Sequence, residues 1–358
     1  MFHGNIFIRY NNQDIGSKGS RGGAQWDAPN MLMAMGQRQL GSNGLFHFNT
    51  MFSFDALVTG GNGYPLLFQS GESWQGHPLV DRQHPHDLFS ELSVSYAYAI
   101  FKKADVFLYL AYPGEPALGP VTFMHRPSGM DGPDAPISHH WVDATHITFG
   151  VATLGFRYGK FKLEGSSFTG REPDEDRYNL DKPRFDSWSS RLSFNPDKNW
   201  ALQVSHAYIK SPEALQPLEN ISRTTASATF AYPFGNERFF NATALWGMNK
   251  MPGHDAGHAA LLEASLRMKK LVTYGRYDWV QKSAEELDLD EAVYGANTIF
   301  PIGALTLGAS YDLITRPLRT AIGAQMSVYH APSMLNSLYG KNPLAIECYL
   351  RIYPKLMK

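Results

Sequence analysis

The sequence predicts an all-β transmembrane barrel of antiparallel up-and-down strands, and three observations predict it. Segments of about ten residues alternate apolar and polar side chains, the mark of a strand with two unlike faces. The links between segments alternate short and long. About sixteen such strands (about 14–18) would enclose a barrel too wide for side chains to fill, so the apolar faces must turn outward into lipid around a wet lumen. Along 200–208, Trp200, Leu202, Val204 and Tyr208 share one face, and Gln203 and Ser205 the other. Along 223–232, Ala226, Ala228, Phe230 and Tyr232 oppose Arg223, Thr225, Ser227 and Thr229. Along 344–352, Leu344, Ile346, Cys348, Leu350 and Ile352 oppose Glu347, Tyr349 and Arg351.

Strands are expected near 2–10, 31–39, 44–55, 88–100, 105–112, 145–157, 160–169, 185–195, 200–209, 222–232, 238–248, 258–268, 271–281, 292–300, 304–313, 319–330 and 344–353. Bacterial single-chain barrels are even-numbered. One of these seventeen candidates is therefore in excess, most simply the first or one around 331–343. Hairpin turns are expected at Gly41-Ser42-Asn43, Phe101-Lys102-Lys103, Tyr158-Gly159, 195–199, 233–237, Lys269-Lys270 and Pro301-Ile302-Gly303. The long links are 11–30, 56–87, 113–144, 170–184, 210–221, 249–257 and 282–291. Alternate links of an up-and-down barrel lie at opposite ends, so the long ones gather at one rim, the outward-facing one in outer-membrane barrels.

Bulk properties agree with a single barrel domain over 1–358. Aromatic residues make up 13% of the chain, dominated by 18 Tyr and 22 Phe, and barrels use such residues as girdles at the membrane interfaces. The formal net charge is −1, and scattered basic residues make no electrostatic case for nucleic acid. Eighteen consecutive apolar residues, the minimum for a helical span, never occur. A barrel needs no such span, because its backbone groups pair between strands. One cysteine, Cys348, excludes an intramolecular disulfide and a CxxC metal site. It is expected to be a small lipid-facing residue. No signal peptide precedes the first strand-like segment, so the chain is expected to begin near its mature end, with the outer membrane as its destination. Its expected surroundings are the lipid bilayer and lipopolysaccharide, with oligomeric state left open.

Of the 13 histidines, seven fall between 77 and 146. They lie in strings such as D-R-Q-H-P-H-D (81–87), F-M-H-R-P (123–127) and H-H-W-V-D-A-T-H-I (139–147), and a third long link reads G-R-E-P-D-E-D-R (170–177). Rim geometry brings these together. The first reading is a divalent metal site (Cu, Zn or Ca) drawing on His84, His86, Asp87, His125, His139, His140, Asp143 and His146. His-x-His in an extended segment puts both imidazoles on one side, neutral imidazole suits the transition metals, and a carboxylate completes or orients the shell. A plainer reading is a loop knot cross-linked by Arg82, Arg126, Arg171 and Arg177 and stiffened by prolines. No zincin motif is present. A hydrolase would use Ser138 beside His139 or Ser128 near His125, although no G-x-S-x-G elbow occurs. A selective pore would set Glu172, Asp174 and Glu175 against Arg171, Arg177, Lys182 and Arg184, with Arg223, Glu263, Arg267, Glu347 and Arg351 lining the lumen. His254 and His258 read as a loose loop pair. The run Met31-Leu32-Met33-Ala34-Met35 reads as strand filler facing core or lipid rather than a copper-binding series.

The strings Y-P-L-L-F-Q-S-G-E, D-R-Q-H-P-H-D-L-F, H-H-W-V-D-A-T-H-I-T-F-G and G-R-E-P-D-E, with F-D-S-W-S-S-R-L-S and I-K-S-P-E-A-L further on, resemble an uncharacterised family of Gram-negative outer-membrane β-barrel proteins. The resemblance runs over most of the chain and implies the same fold and location. It carries no catalytic residue with it, and only a loose association with metal or copper resistance. The functional expectation is a porin-like channel for small polar solutes or ions, with a candidate divalent-metal cluster at its mouth. The alternatives are a non-conducting barrel handling copper or zinc, and an outer-membrane hydrolase.

Overall fold

The computed structural model describes residues 1–16, 19–295 and 297–355. Its strands are β1 (Phe2–Asn12), β2 (Ala24–Asp27), β3 (Asn30–Leu40), β4 (Gly44–Phe52), β5 (Tyr64–Trp74), β6 (His77–Gln83), β7 (Phe89–Phe101), β8 (Ala104–Ala111), β9 (Val151–Tyr158) and β10 (Phe161–Phe168). There follow β11 (Ser187–Phe194), β12 (Trp200–Lys210), β13 (Asn220–Gly235), β14 (Arg238–Lys250), β15 (Gly257–Met268), β16 (Leu271–Ser283), β17 (Ile299–Ile314), β18 (Arg319–His330) and β19 (Leu344–Tyr353). All but β5 and β6 form one antiparallel sheet, closed where Ile6 to Asn12 of β1 pair with Ile352 to Ile346 of β19. β2 and β3 are two halves of one wall strand. β1 pairs with β3 through Phe2–Ile6 and with β2 through Arg9–Asn12. The break falls at Ala28-Pro29, because proline has no N–H for the ladder. The barrel therefore has sixteen staves.

Polarity is inverted relative to a soluble protein. Val204 is 53% exposed, Leu154 67% and Ile322 56%, all on the outer face, while Arg9, Glu263, Glu347 and Arg351 are at most 2% exposed inside. Phe230 and Ile346 are half-buried on the same outer face as Val204, and Cys348 is exposed there. Apolar side chains on the outside of a closed barrel demand hydrocarbon, which places the protein in the bacterial outer membrane. Short turns, Met1 and the end of β19 occupy one rim. Eight longer links, including 53–88 and 112–150, occupy the other.

Three expectations need correction. The surplus candidate is 292–300, not the first strand or one around 331–343: Ile299 and Phe300 open β17, and no separate strand precedes them among the described residues of this segment. Glu291–Tyr294 forms a helical turn, and Pro301-Ile302-Gly303 lies inside β17 rather than making a turn. Pro301 is tolerated because the ladder places it near the strand's beginning, opposite Gln281. The hairpin turn instead falls after Ile314, around Arg316-Pro317. The segment 145–150 belongs to the long link and β9 starts at Val151, since the backbone there pairs within the loop, Gly114 with Thr148. Finally, the link 56–87 contains structure of its own, the β5–β6 hairpin, whose register is broken between Pro65 and Ser70 and again before Ser73.

Candidate functional site

The 112–150 loop folds down into the lumen and is fastened to the wall by buried charge. Arg351 of β19 donates to Asp131 at 2.6 Å, and Arg9 of β1 pairs with Asp134 while also holding Asp27 and Glu347 at 2.6 Å. Arg276 of β16 donates to the carbonyls of Asp134 and Ala135, and Ser138 donates to Asp278 at 2.6 Å. Arg126 reaches the other way, from loop to wall, at 2.5 Å from Glu263. Wall residues Arg191, Ser205, Arg223 and Asn249 bond Gly119, Thr145 and His140. A charge in a low-dielectric interior is tolerable only when paired and hydrogen-bonded. This ladder therefore fixes the loop's path residue by residue. Toward the long-loop rim the contact turns dry: Ile137, Trp141 and Val142 pack with Leu67 and Phe68 of β5 against Leu245, Leu261 and Val280 of the wall.

The β5–β6 hairpin and the 112–150 loop meet at a cluster of five imidazoles. Ring centroids lie 6.0 Å apart for His84–His86, 5.6 Å for His84–His140, 5.4 Å for His139–His140, 5.2 Å for His139–His146 and 5.3 Å for His86–His146. Two of the five stand on a single helical turn, His139–Val142. Gly71 permits the approach, since a Cβ there would lie 2.2 Å from the His140 ring. Several rings are held from behind. His86 Nδ1 is 2.7 Å from Asp55, His139 Nδ1 is 2.7 Å from Asp143, and His146 Nδ1 is 2.9 Å from the carbonyl of Ala144. A carbonyl or carboxylate only accepts, so each of these Nδ1 atoms carries a proton, and in a neutral ring so held the lone pair is on Nε2. The Nε2 atoms of His86, His139, His140 and His146 are buried with no partner in the protein. Burial also holds the pKa of His84, His139 and His146 below the ordinary imidazole value, so these three are neutral.

Carboxylates surround the rings. Glu72 lies 3.1 Å from His84 Nε2 and pairs with Arg177, and burial pushes its carboxyl up. Burial likewise raises Asp87 to about 6 against the pull of Arg177. Burial would raise Glu172 as well, but the His140 imidazole at 3.6 Å holds it below its ordinary value. His140, Glu172 and Glu213 form a trio whose donor atoms all lie within 4.8 Å of one another.

Three cavities run in series through this region. A vestibule of about 600 Å³ beneath the loop reaches the short-turn rim and is bordered by His125, His146, Glu115 and Thr153. A small void of about 10 Å³, room for one water-sized body, lies among His84, His86, His140, His146, Glu72 and Glu172. Outside it a cavity of about 120 Å³ is bordered by Glu72, His140, Glu172, Glu213 and Arg223. His146 borders the first two, and Glu72, His140 and Glu172 border the last two.

The anticipated residues divide among several places. His84, His86, His139, His140 and His146 come together. Asp143 stands behind the rings, linking His139 to Arg126, and Asp87 pairs with Arg177 at 3.4 Å beside the void. His125 is elsewhere, in the vestibule. Arg82 donates to the carbonyls of Asn62 and Gly63, and Arg171 to Ser211. Glu175 accepts from Ser73, Gln75 and Gly76 at the hairpin tip, and Asp174 accepts from the backbone of Asp176. Arg82, Arg171 and Glu175 tie separate chain segments together, whereas Asp174 only closes a local turn. Ser128 donates to Glu263 and Ser138 to Asp278; neither bonds a histidine. Sequence reasoning passed over Glu72, Glu213 and Asp55.

A closed sixteen-stranded barrel with an outward apolar belt and a loop folded into its lumen has the porin-like architecture of the bacterial outer membrane. Comparison with solved structures agrees on the fold. The chain is similar to OprB of Pseudomonas putida (TM-score 0.57, 11% identity, 99% of this chain and 93% of that one). It is similar to OmpF of Salmonella typhi (TM-score 0.56, 8% identity, 99% and 96%) and to an anion-selective porin from Comamonas acidovorans (TM-score 0.54, 12% identity, 99% and 98%). No family model and no curated protein sequence matches.

Proposed function

We propose that the protein is an outer-membrane channel for small cations, and that its narrowest point is a histidine–carboxylate conduit selecting divalent transition metals. The observation that carries this reading is the set of four buried Nε2 atoms without a protein partner. Three of them belong to rings whose opposite nitrogen is pinned by a carboxylate or carbonyl. Rings held through one nitrogen, with the other free of any protein partner, match the arrangement that supports metal-ligating histidines. The rings are spread over several steps rather than gathered on one point, and His140, Glu172 and Glu213 make a second station outward of them. Conduction needs sites that bind well enough to enter and loosely enough to leave, and a series of weak stations supplies that. Neutral imidazole suits Zn(II) and Cu(II), with Glu72 and Glu172 adding charge compensation.

The test is current through single proteins in planar bilayers. Potassium current is expected to fall when Zn(II) is added, as the slower ion occupies the conduit. The His86→Ala, His146→Ala variant is expected to lose that block while keeping its barrel. A potassium current indifferent to Zn(II) in the unmodified protein would reject the reading. A barrel that binds Zn(II) but passes no current would favour a metal-holding role, to which the narrowness of the central void also points.

A further inference from the structure

The vestibule has a chemistry of its own, on the short-turn side of the histidine conduit. The alternation of β3 sends Leu32 outward, 43% exposed, and turns Met31, Met33 and Met35 inward. Strand pairing then builds a row across three adjacent staves. His3 of β1 lies directly opposite Met33 of β3, and Met33 directly opposite Met51 of β4. Directly opposed residues have Cβ atoms about 4.5–5.5 Å apart. From above, the in-folded loop lowers His125 onto the row, with Nε2 3.2 Å from the Met51 sulfur and its ring 5.5 Å from that of His3. Met1, Met33, Met35, Met51, His3 and His125 all border the vestibule cavity.

Methionine is out of place on this wall. The inner face of the barrel is mostly polar or charged, or is packed dry against loops; Phe107 also turns into this cavity but brings no donor atom, whereas the thioethers bring sulfur lone pairs to open space. We infer that Met33, Met51, His3 and His125 form a binding site for one soft monovalent ion, Cu(I) or Ag(I), with Met35 as a neighbouring donor. Thioether sulfur selects soft ions, and neutral imidazole joins it readily. A hard divalent ion would find only Glu91 beyond Met51 in the row, already engaged by Ser93 and Tyr109. The 3.2 Å between Nε2 and Sδ suits two donors on one ion. Metal–nitrogen and metal–sulfur bonds of about 2.0 and 2.3 Å at a tetrahedral angle place their donors about 3.5 Å apart. The wall supplies three ligands and the loop one, so the bound ion would link loop to wall. The inference stands on this row and does not require the histidine conduit.

The experiment uses the full chain in detergent micelles, with Ag(I) as an air-stable probe and Cu(I) under reducing conditions against a competing chelator. X-ray absorption at the bound metal is expected to show sulfur neighbours. Met33→Leu with Met51→Leu, close in size and so compatible with the barrel, should lower affinity more than about tenfold and remove the sulfur signal. His84→Ala with His86→Ala should change neither. A wild-type spectrum with only nitrogen and oxygen neighbours, or an affinity unchanged in the double leucine variant, overturns the inference. Should the double variant fail to assemble, the wild-type sulfur signal and the affinity of His125→Ala decide between the same two results.

Discussion

Arg126→Met tests how the in-folded loop is held. The guanidinium sits 2.5 Å from Glu263 of the wall and 2.7 Å from Asp143 of the loop, with all three side chains at most 2% exposed. Removing it strips the countercharge from one buried carboxylate and weakens the support of another. Breaking a buried pair in this way costs about 3–5 kcal/mol. The barrel's own hydrogen-bond ladder is untouched, so the cost falls on docking of the loop. At about 1.4 kcal/mol per tenfold, docking should weaken roughly a hundredfold to a few thousandfold. Hydrogen exchange reads this directly. The amides of His125, Arg126 and Met130, bonded to the carbonyls of Thr122 and Arg126, should lose protection by about that factor while β13 to β16 keep theirs. Adding Glu263→Gln should restore part of the protection, because the penalty arises from a charge left without its partner. Unchanged protection in the single variant, or equal loss across the barrel strands, would mean that Arg126 does not hold the loop to the wall.

Two further predictions follow from the same structure. Val204→Arg, in the lipid-facing belt, should cost about 2–4 kcal/mol in urea unfolding from lipid vesicles, the range for a midplane arginine on a barrel's outer face. No change would mean that this face does not meet hydrocarbon. Glu115, beside the vestibule, is raised to about 8 by burial, with Arg191 pulling the other way. The folded state holds its proton where the unfolded chain has lost it. The stability this gives is complete below the ordinary value of 4.5 and is lost as pH rises toward about 8. Above that pH the ionised carboxylate adds a negative charge to the vestibule. Cation selectivity in reversal-potential measurements should therefore increase between pH 7 and 9, and Glu115→Gln should abolish the increase.

Much of the architecture was legible because a barrel writes its pleat into the chain. Val204, Ile346 and Cys348 could be placed on the lipid side from alternation alone, and the long loops could be assigned to one rim by counting turns. What escaped had physical causes. Pro301 and Gly303 look like a turn, yet proline is harmless near the beginning of a strand, and β17 runs through both. Pro29 divides a wall strand whose first half is only four residues long. The β5–β6 hairpin has positive-φ residues at Phe68, Glu72 and Asp81 and repeated register shifts, so no period survives to be read.

The histidine cluster was half legible. Seven histidines in two loops announce a site, but spacing could not show that His125 would fall away from the others into the vestibule. Asp55 is a lone acid at the start of α1 (Asp55–Thr59), and nothing near it in the sequence ties it to His86. Glu72 and Glu213 likewise belong to separate loops, and only tertiary folding brings them to the rings. The methionine run was visible but read as filler. Its meaning depends on which of two faces points inward, and on His3 and Met51 standing level with Met33 across three strands.

The most direct measurement is a crystal structure of the protein grown with Zn(II), with anomalous data collected at the zinc edge. Anomalous peaks are expected within the loop cluster, each with Nε2 of two or more of His84, His86, His139, His140 and His146 at about 2.0–2.1 Å. A cluster free of anomalous signal, with those nitrogens bonded only to ordered water, would contradict the metal reading of these rings.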